Sequence, residues 1–184
     1  HVAAPPPAPP RQDGGRTPSP QAAQFERQDV PAKGIPPCRL FCIYAEGVEF
    51  SKLPDRQRAI PIPGNGRDLV VGRTAQPANL WDTLVPDRRL HGTVSREHFK
   101  VVTRLEGPSE QPAFYLICTS LNGVLLNSVY VGQNNGERKL QHGDVIAFAA
   151  STEEGGGMRK PFIVFEFEVI PSAVTAAPGR TGTP

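Results

Sequence analysis

The stretch VSREHFKVVTRL, residues 94–105, decides how the rest of the chain is read. From its sixth residue onward, Phe99, Val101, Thr103 and Leu105 fall on one side of an extended chain, while Lys100 and Arg104 fall on the other. That period of two is expected of a half-buried strand. Phe165, Phe167 and Val169 alternate with Glu166 and Glu168 in the same way. Shorter apolar runs at 40–44, 69–71, 114–118, 124–126 and 145–148 read as further strands. Between them stand turn signals: Gly64-Asn65-Gly66, read as a hairpin turn, then Gly107-Pro108, Asn122-Gly123, Asn134-Asn135-Gly136 and His142-Gly143-Asp144. No window of helical length repeats apolar residues at i, i+3, i+4 and i+7 free of Gly or Pro, and no internal repeat is present. The expected fold is all-β, an antiparallel β-sandwich with loops gathered at its ends.

The flanks read differently. Residues 1–37 hold ten of the 21 prolines and no hydrophobic period, so they are expected to be a disordered Pro/Ala-rich linker. Residues 171–184 repeat that composition and are expected to fray, leaving 38–170 as the folded unit. Gly155-Gly156-Gly157 reads as a loop before the last strand. An opening His1 in place of Met leaves room for a longer parent chain. With 20 Lys+Arg against 18 Asp+Glu, no electrostatic case exists for a nucleic-acid partner. No apolar run reaches the ~20 residues of a membrane span, so no membrane partner is expected. The odd set Cys38, Cys42 and Cys118 argues against a disulfide framework and for an intracellular, reducing setting, nucleus or cytoplasm.

Three separated elements carry the chemistry. Gly72-Arg73 ends an apolar strand, Ser95-Arg96-Glu97-His98 opens another, and Asn122-Gly123 forms a turn with Asn127 after it. A phosphate ester carries nearly two negative charges and three acceptor oxygens, and its site needs a fixed cation, hydroxyl donors and convergent N–H groups. Arg73 and Arg96 offer planar forks that suit it, Ser95 offers a hydroxyl, and strand tips at one end of a sandwich bring such residues together.

The runs VVGR, VSREHF, LNGVLLN and LQHGDVIAFA, in that order, resemble the forkhead-associated (FHA) family over about 39–169. The resemblance implies phosphate contacts from Arg73 and Ser95, a further polar or basic contact from Arg96, and a peptide-backbone contact from Asn122. It adds Thr119 and Ser120 to the phosphopeptide-binding set, with Gly72, His98, Gly123 and Asn127 as structural support. It also implies preference for phosphothreonine, for which burying one methyl in a small notch would supply about 0.8 kcal/mol. Two departures stand out. Leu121 occupies the position before Asn122 where the family commonly has Ser or Thr, and the stretch 74–94, with Trp81 and two prolines, is longer than usual. Side-chain selectivity along the peptide is expected from the loops around Thr93 and 119–122.

The expected function is therefore a non-enzymatic module, a monomer without cofactor, that docks a phosphothreonine-containing partner protein. The alternatives are an FHA-fold scaffold with weakened phosphate recognition, hinted by Leu121, or the regulatory domain of a larger signalling enzyme. Ser95 and His98 lack an orienting acid and a Gly-x-Ser-x-Gly elbow, and residues three apart on a strand face opposite ways, so catalysis is not expected. Cys38 and Cys42 would lie about 13 Å apart on a strand, too far to share zinc. His91 and His142 have no second ligand at metal spacing, so no metal is expected. Asp87-Arg88-Arg89 and Arg56-Gln57-Arg58 read as solvated loop charges. Thr17-Pro18-Ser19-Pro20 is similar to a proline-directed kinase substrate that could reach a phosphopeptide groove, and is read first as an unmodified linker.

Overall fold

In the computed structural model, residues 35–151 and 159–171 are described. Ten strands form two antiparallel sheets. One sheet runs in the order β2 (Ala59–Ile62), β1 (Cys38–Ala45), β10 (Arg159–Val169), β9 (Val145–Ser151), β6 (Val124–Leu126), β7 (Val129–Val131). The other runs β3 (Leu69–Val71), β4 (Phe99–Glu106), β5 (Gln111–Cys118), β8 (Glu137–Leu140). This is the antiparallel sandwich expected from the alternating pattern.

Alternation builds the core. Leu40, Val71, Phe99, Val101, Leu116, Ile146, Phe148, Phe165 and Phe167 all turn inward and are buried. Phe148 on β9 is the hub: its ring lies 5.8 Å from Trp81, 4.5 Å from His98, 5.7 Å from Phe99 and 6.1 Å from Phe165. It therefore joins one sheet both to the other and to the segment carrying Trp81. On β1 the inward set Cys38, Leu40, Cys42 is displaced by a register shift between Cys42 and Tyr44, which turns Ala45 inward and leaves Ile43 and Tyr44 exposed. Leu105, expected on the inner face with Phe99, is exposed, because it pairs with Pro112 at the end of the β4–β5 hairpin where the opposite sheet no longer covers it.

Several expectations need correction. Two short helices interrupt the stretch 74–94: α1 (Ala78–Leu84) and α2 (Arg88–His91). In α1, Trp81 and Leu84 are the buried residues, and Asp87 caps α2 by accepting from the Arg89 N–H. Gly64-Asn65-Gly66 is a turn, with Gly66 at φ +77, yet it joins β2 in one sheet to β3 in the other and so closes no hairpin. Strands β2, β7 and β8 were not anticipated. The expected tails, apart from 35–37 and 171, and the Gly155–Gly157 loop lie outside the described residues. Within those residues Ile35 packs on the core and the Ile170 N–H donates to the Pro37 carbonyl at 2.8 Å.

Removing the Phe148 ring leaves a void where five aromatic neighbours meet. Phe148→Ala is expected to lower stability by about 3–5 kcal/mol, read from urea unfolding curves.

Candidate functional site

Gly72, directly after β3, is pressed against the loop before β4. A Cβ added there would lie 2.3 Å from the Arg96 carbonyl oxygen and 2.7 Å from Glu97 Cα, so only glycine fits. Its carbonyl accepts from the Trp81 indole N–H at 3.1 Å, and its own N–H donates to Gln76 Oε1 at 2.8 Å. Beyond it the chain zips onto that same loop. The Arg73 N–H donates to the Ser95 carbonyl at 2.8 Å, and both the N–H and hydroxyl of Thr74 donate to the Arg96 carbonyl. The Arg73 and Arg96 side chains are exposed, and neither has an ion-pair partner among the described residues.

Residues 95–98 form a tight bend and β4 begins only at Phe99, so the strand alternation assumed for Ser95 and His98 does not apply. The carbonyls of Ser95 and Arg96 are already committed to Arg73 and Thr74. His98, 1% exposed, turns its ring back to accept from the Ser95 N–H at Nδ1, 3.0 Å. Its proton therefore sits on Nε2, which donates to the Gly123 carbonyl at 2.9 Å. Burial lowers its pKa from 6.5, opposed by the Gly123 hydrogen bond. One neutral ring thus ties the Ser95 bend to the Asn122-Gly123 turn.

The third loop is fixed from the same residue. The His98 carbonyl accepts from the N–H groups of both Thr119 and Ser120 at 3.0 Å. Ser120, 2% exposed, does not face outward. Its Oγ accepts from the Asn122 N–H at 3.0 Å and lies 2.7 Å from Ser95 Oγ. With that lone pair engaged, Ser120 can give its own proton to Ser95, freeing the Ser95 O–H for a ligand. Thr119 Oγ1 donates to the Glu97 carbonyl at 3.2 Å. The Asn122 side-chain amide donates to the Thr93 carbonyl at 2.8 Å, and the Asn122 carbonyl accepts from Arg159 Nη1. Leu121 stands 85% exposed beside it. Gly123, at φ +68, lies under the Tyr130 ring, whose Cε2 would be 2.2 Å from an added Cβ.

Gly72, Arg73, Ser95, Arg96, His98, Thr119, Ser120, Asn122 and Gly123 thus belong to one connected cluster of loops. Asn127 does not join it. At φ 50 it follows β6, and its amide donates to Asp144 at 2.8 Å and accepts from the Val145 N–H at 2.9 Å, bracing the turn before β9. Gln76, Tyr130 and Arg159 are partners that the motif reading missed; Trp81 was noted only as part of a long connection and Thr93 only as part of a selectivity loop. Cys38 and Cys42 are buried, their thiols pushed up by burial to about 11 and about 12, and among the described residues no three metal-type side chains gather.

Protonating His98 would put a second N–H against that of Ser95. Because the unfolded histidine binds a proton more readily than the folded one, stability falls as pH drops below about 6.5 and recovers above it. The His98 Cε1 proton resonance is expected to stay at its neutral position at pH values where an exposed histidine has titrated. Titration near 6.5 would contradict a ring held neutral by burial.

No curated protein matches the chain. Among solved structures it is similar to the MEK1 FHA domain (20% identity, TM-score 0.47, covering 75% of this chain and 93% of that one). It is also similar to full-length yeast Pml1p (19%, TM-score 0.49, 72% and 81%). A third is the yeast Dun1 FHA domain, solved with a doubly phosphorylated peptide derived from Rad53 (15%, TM-score 0.44, 95% and 94%). Residues 69–149, from the start of β3 into β9 and spanning every motif of the cluster, match the family described as FHA domain: this chain carries an FHA domain.

Proposed function

We propose that this chain is a phosphothreonine reader, with residues 38–170 as the binding unit. The observation that carries the reading is the Arg73 guanidinium, exposed and without a carboxylate partner among the described residues, beside a loop whose Ser95 hydroxyl is held by Ser120. Arg73 supplies the fixed cation and Ser95 a hydroxyl donor, oriented outward when Ser120 donates to it. Arg96 adds a second cation on the same bend. Asn122, anchored by its own N–H and carbonyl, takes the peptide backbone by exchanging its Thr93 contact or using its amide oxygen, which has no partner among the described residues. An unmodified threonine offers Arg73 no charge, so phosphorylation is the switch. The module binds and does no chemistry: His98, the nearest base, spends both ring nitrogens on backbone groups.

Leu121 favours a second reading. It places an exposed leucine where the family commonly offers another hydroxyl, and the neighbouring Ser120 hydroxyl is buried beneath Ser95. An FHA scaffold with weakened phosphate recognition would look like this. Among the described residues no helix is long and apolar enough to cross a membrane.

Fluorescence anisotropy against phosphothreonine, phosphoserine and unmodified peptides decides between them. Selective phosphothreonine binding that weakens more than about tenfold in Arg73→Ala is expected, since a charge-assisted hydrogen bond contributes about 1.5–3 kcal/mol. Binding indifferent to the phosphate and to Arg73→Ala would establish the scaffold instead.

A further inference from the structure

One cation at the edge of this cluster has no role in the reading so far. Among the described residues four arginines lie over aromatic rings: Arg39 on Phe41, Arg58 on Phe41 and Phe50, Arg104 on Tyr115, and Arg159 on Tyr130 at 4.5 Å. The first three are also ion-paired, to Glu168, Asp55 and Glu137. Arg159 has no carboxylate partner among the described residues. Its Nη1 donates to the Asn122 carbonyl, which leaves the rest of the fork unpaired within that set.

The seat beneath it is built from several strands. Tyr130 pairs with Leu125, Leu125 with Ala147, and Arg159 with Ser151, which places Tyr130, Ala147, Ala149 and Arg159 on the outer face of the larger sheet. Gly123, with no side chain, lets the Tyr130 ring close directly on the turn, and Ala147 and Ala149 are buried although they face outward. A guanidinium stacked on a ring and tethered by one carbonyl has lost most of its rotamer freedom before a ligand arrives, and its planar fork suits an oxyanion.

We infer that Arg159, seated on Tyr130, is an anion subsite for an acidic side chain of the bound phosphopeptide, either a carboxylate or a second phosphate. This rests on the phosphothreonine reading. Asn122 couples the two positions: its side chain, now on the Thr93 carbonyl, is the group that takes the peptide backbone in the proposed reading, while its own carbonyl holds Arg159. Arg159 touches Asn122 itself and an extended peptide rises about 3.3 Å per residue, so the acidic residue stands within about three residues of the one that Asn122 holds.

The test is anisotropy with the full chain and a phosphothreonine peptide of neutral flanks, into which Asp, Glu, Gln or a second phosphothreonine is placed at each flanking position. Wild type, Arg159→Gln, Arg159→Lys and Arg73→Ala are compared, with thermal unfolding as the check on folding. An acidic residue at one position is expected to tighten wild-type binding about three- to tenfold over Gln. Arg159→Gln should erase the preference for the acidic over the Gln peptide, whatever loss of the Asn122 carbonyl contact does to both peptides in common, and Arg159→Lys should keep part of that preference. A gain confined to the second phosphate, growing as pH rises through its ionisation near about 6, identifies a doubly phosphorylated ligand. An equal gain from Asp or Glu identifies a carboxylate. The subsite is overturned if wild type and Arg159→Gln show the same preference, or if Arg159→Gln weakens neutral and acidic peptides alike. If wild type binds no neutral-flank phosphopeptide, or Arg73→Ala changes nothing, the phosphothreonine reading itself falls and the subsite falls with it.

Discussion

The neutral imidazole of His98 is the constraint on which the recognition end depends. It is buried, accepts at one nitrogen and donates at the other, and both partners are backbone groups of the loops it joins. Neither lysine nor a carboxylate could offer one donor and one acceptor at that spacing in an apolar setting. Its main chain extends the same control, since the His98 N–H donates to the Val71 carbonyl and its own carbonyl receives Thr119 and Ser120. Three loops distant in sequence therefore share one reference point, and the Phe148 ring packed 4.5 Å away carries that reference into the core.

Around this point the polar groups fall into layers. The innermost, His98, Ser120 and Gln76, are buried with their hydrogen bonds satisfied by backbone groups and, for Ser120, by the Ser95 hydroxyl as well. The outermost, Arg73 and Arg96, hold their charges in water. Ser95 lies between, bonded inward to Ser120 and half-buried. Such layering keeps the unpaired donors where desolvation is small until a ligand compensates for it, while the positions of those donors are set by groups that have no freedom left.

How far the sequence revealed this depends on where each signal resides. Strands β4 and β10 were legible because apolar residues recur on their inward faces at a period of two, and β9 because it opens on an unbroken apolar run. Strand β2 hid behind Pro61, β7 is three residues with two of them exposed, and β8 reads ERKL with a single buried leucine. Helix α1 escaped because seven residues are too few for the i to i+7 pattern, and Trp81 earns its place by an indole bond to Gly72 that no spacing announces. Within the site, Gly72, Arg73, Ser95, His98 and Asn122 were legible as motifs. Burial of Ser120 was not, since a hydroxyl's direction depends on the loop around it. Asn127 looked like a neighbour of Asn122 because it is close in sequence, yet β6 carries it away to the turn at Asp144. Arg159 gave no signal, as its contacts with Asn122 and Tyr130 lie across strands far apart in the chain.

The bond between Ile170 and Pro37 has a mechanical meaning. Cys38 pairs with Val169, so the chain enters and leaves the sandwich side by side, at the end of β10 opposite Arg159. A tension applied through these two points would peel β1 from β10 one rung at a time, a geometry that yields at low force because the rungs break in succession. The loops holding Arg73, Ser95 and Asn122 stand at the far end and would bear no load until most of that seam had opened.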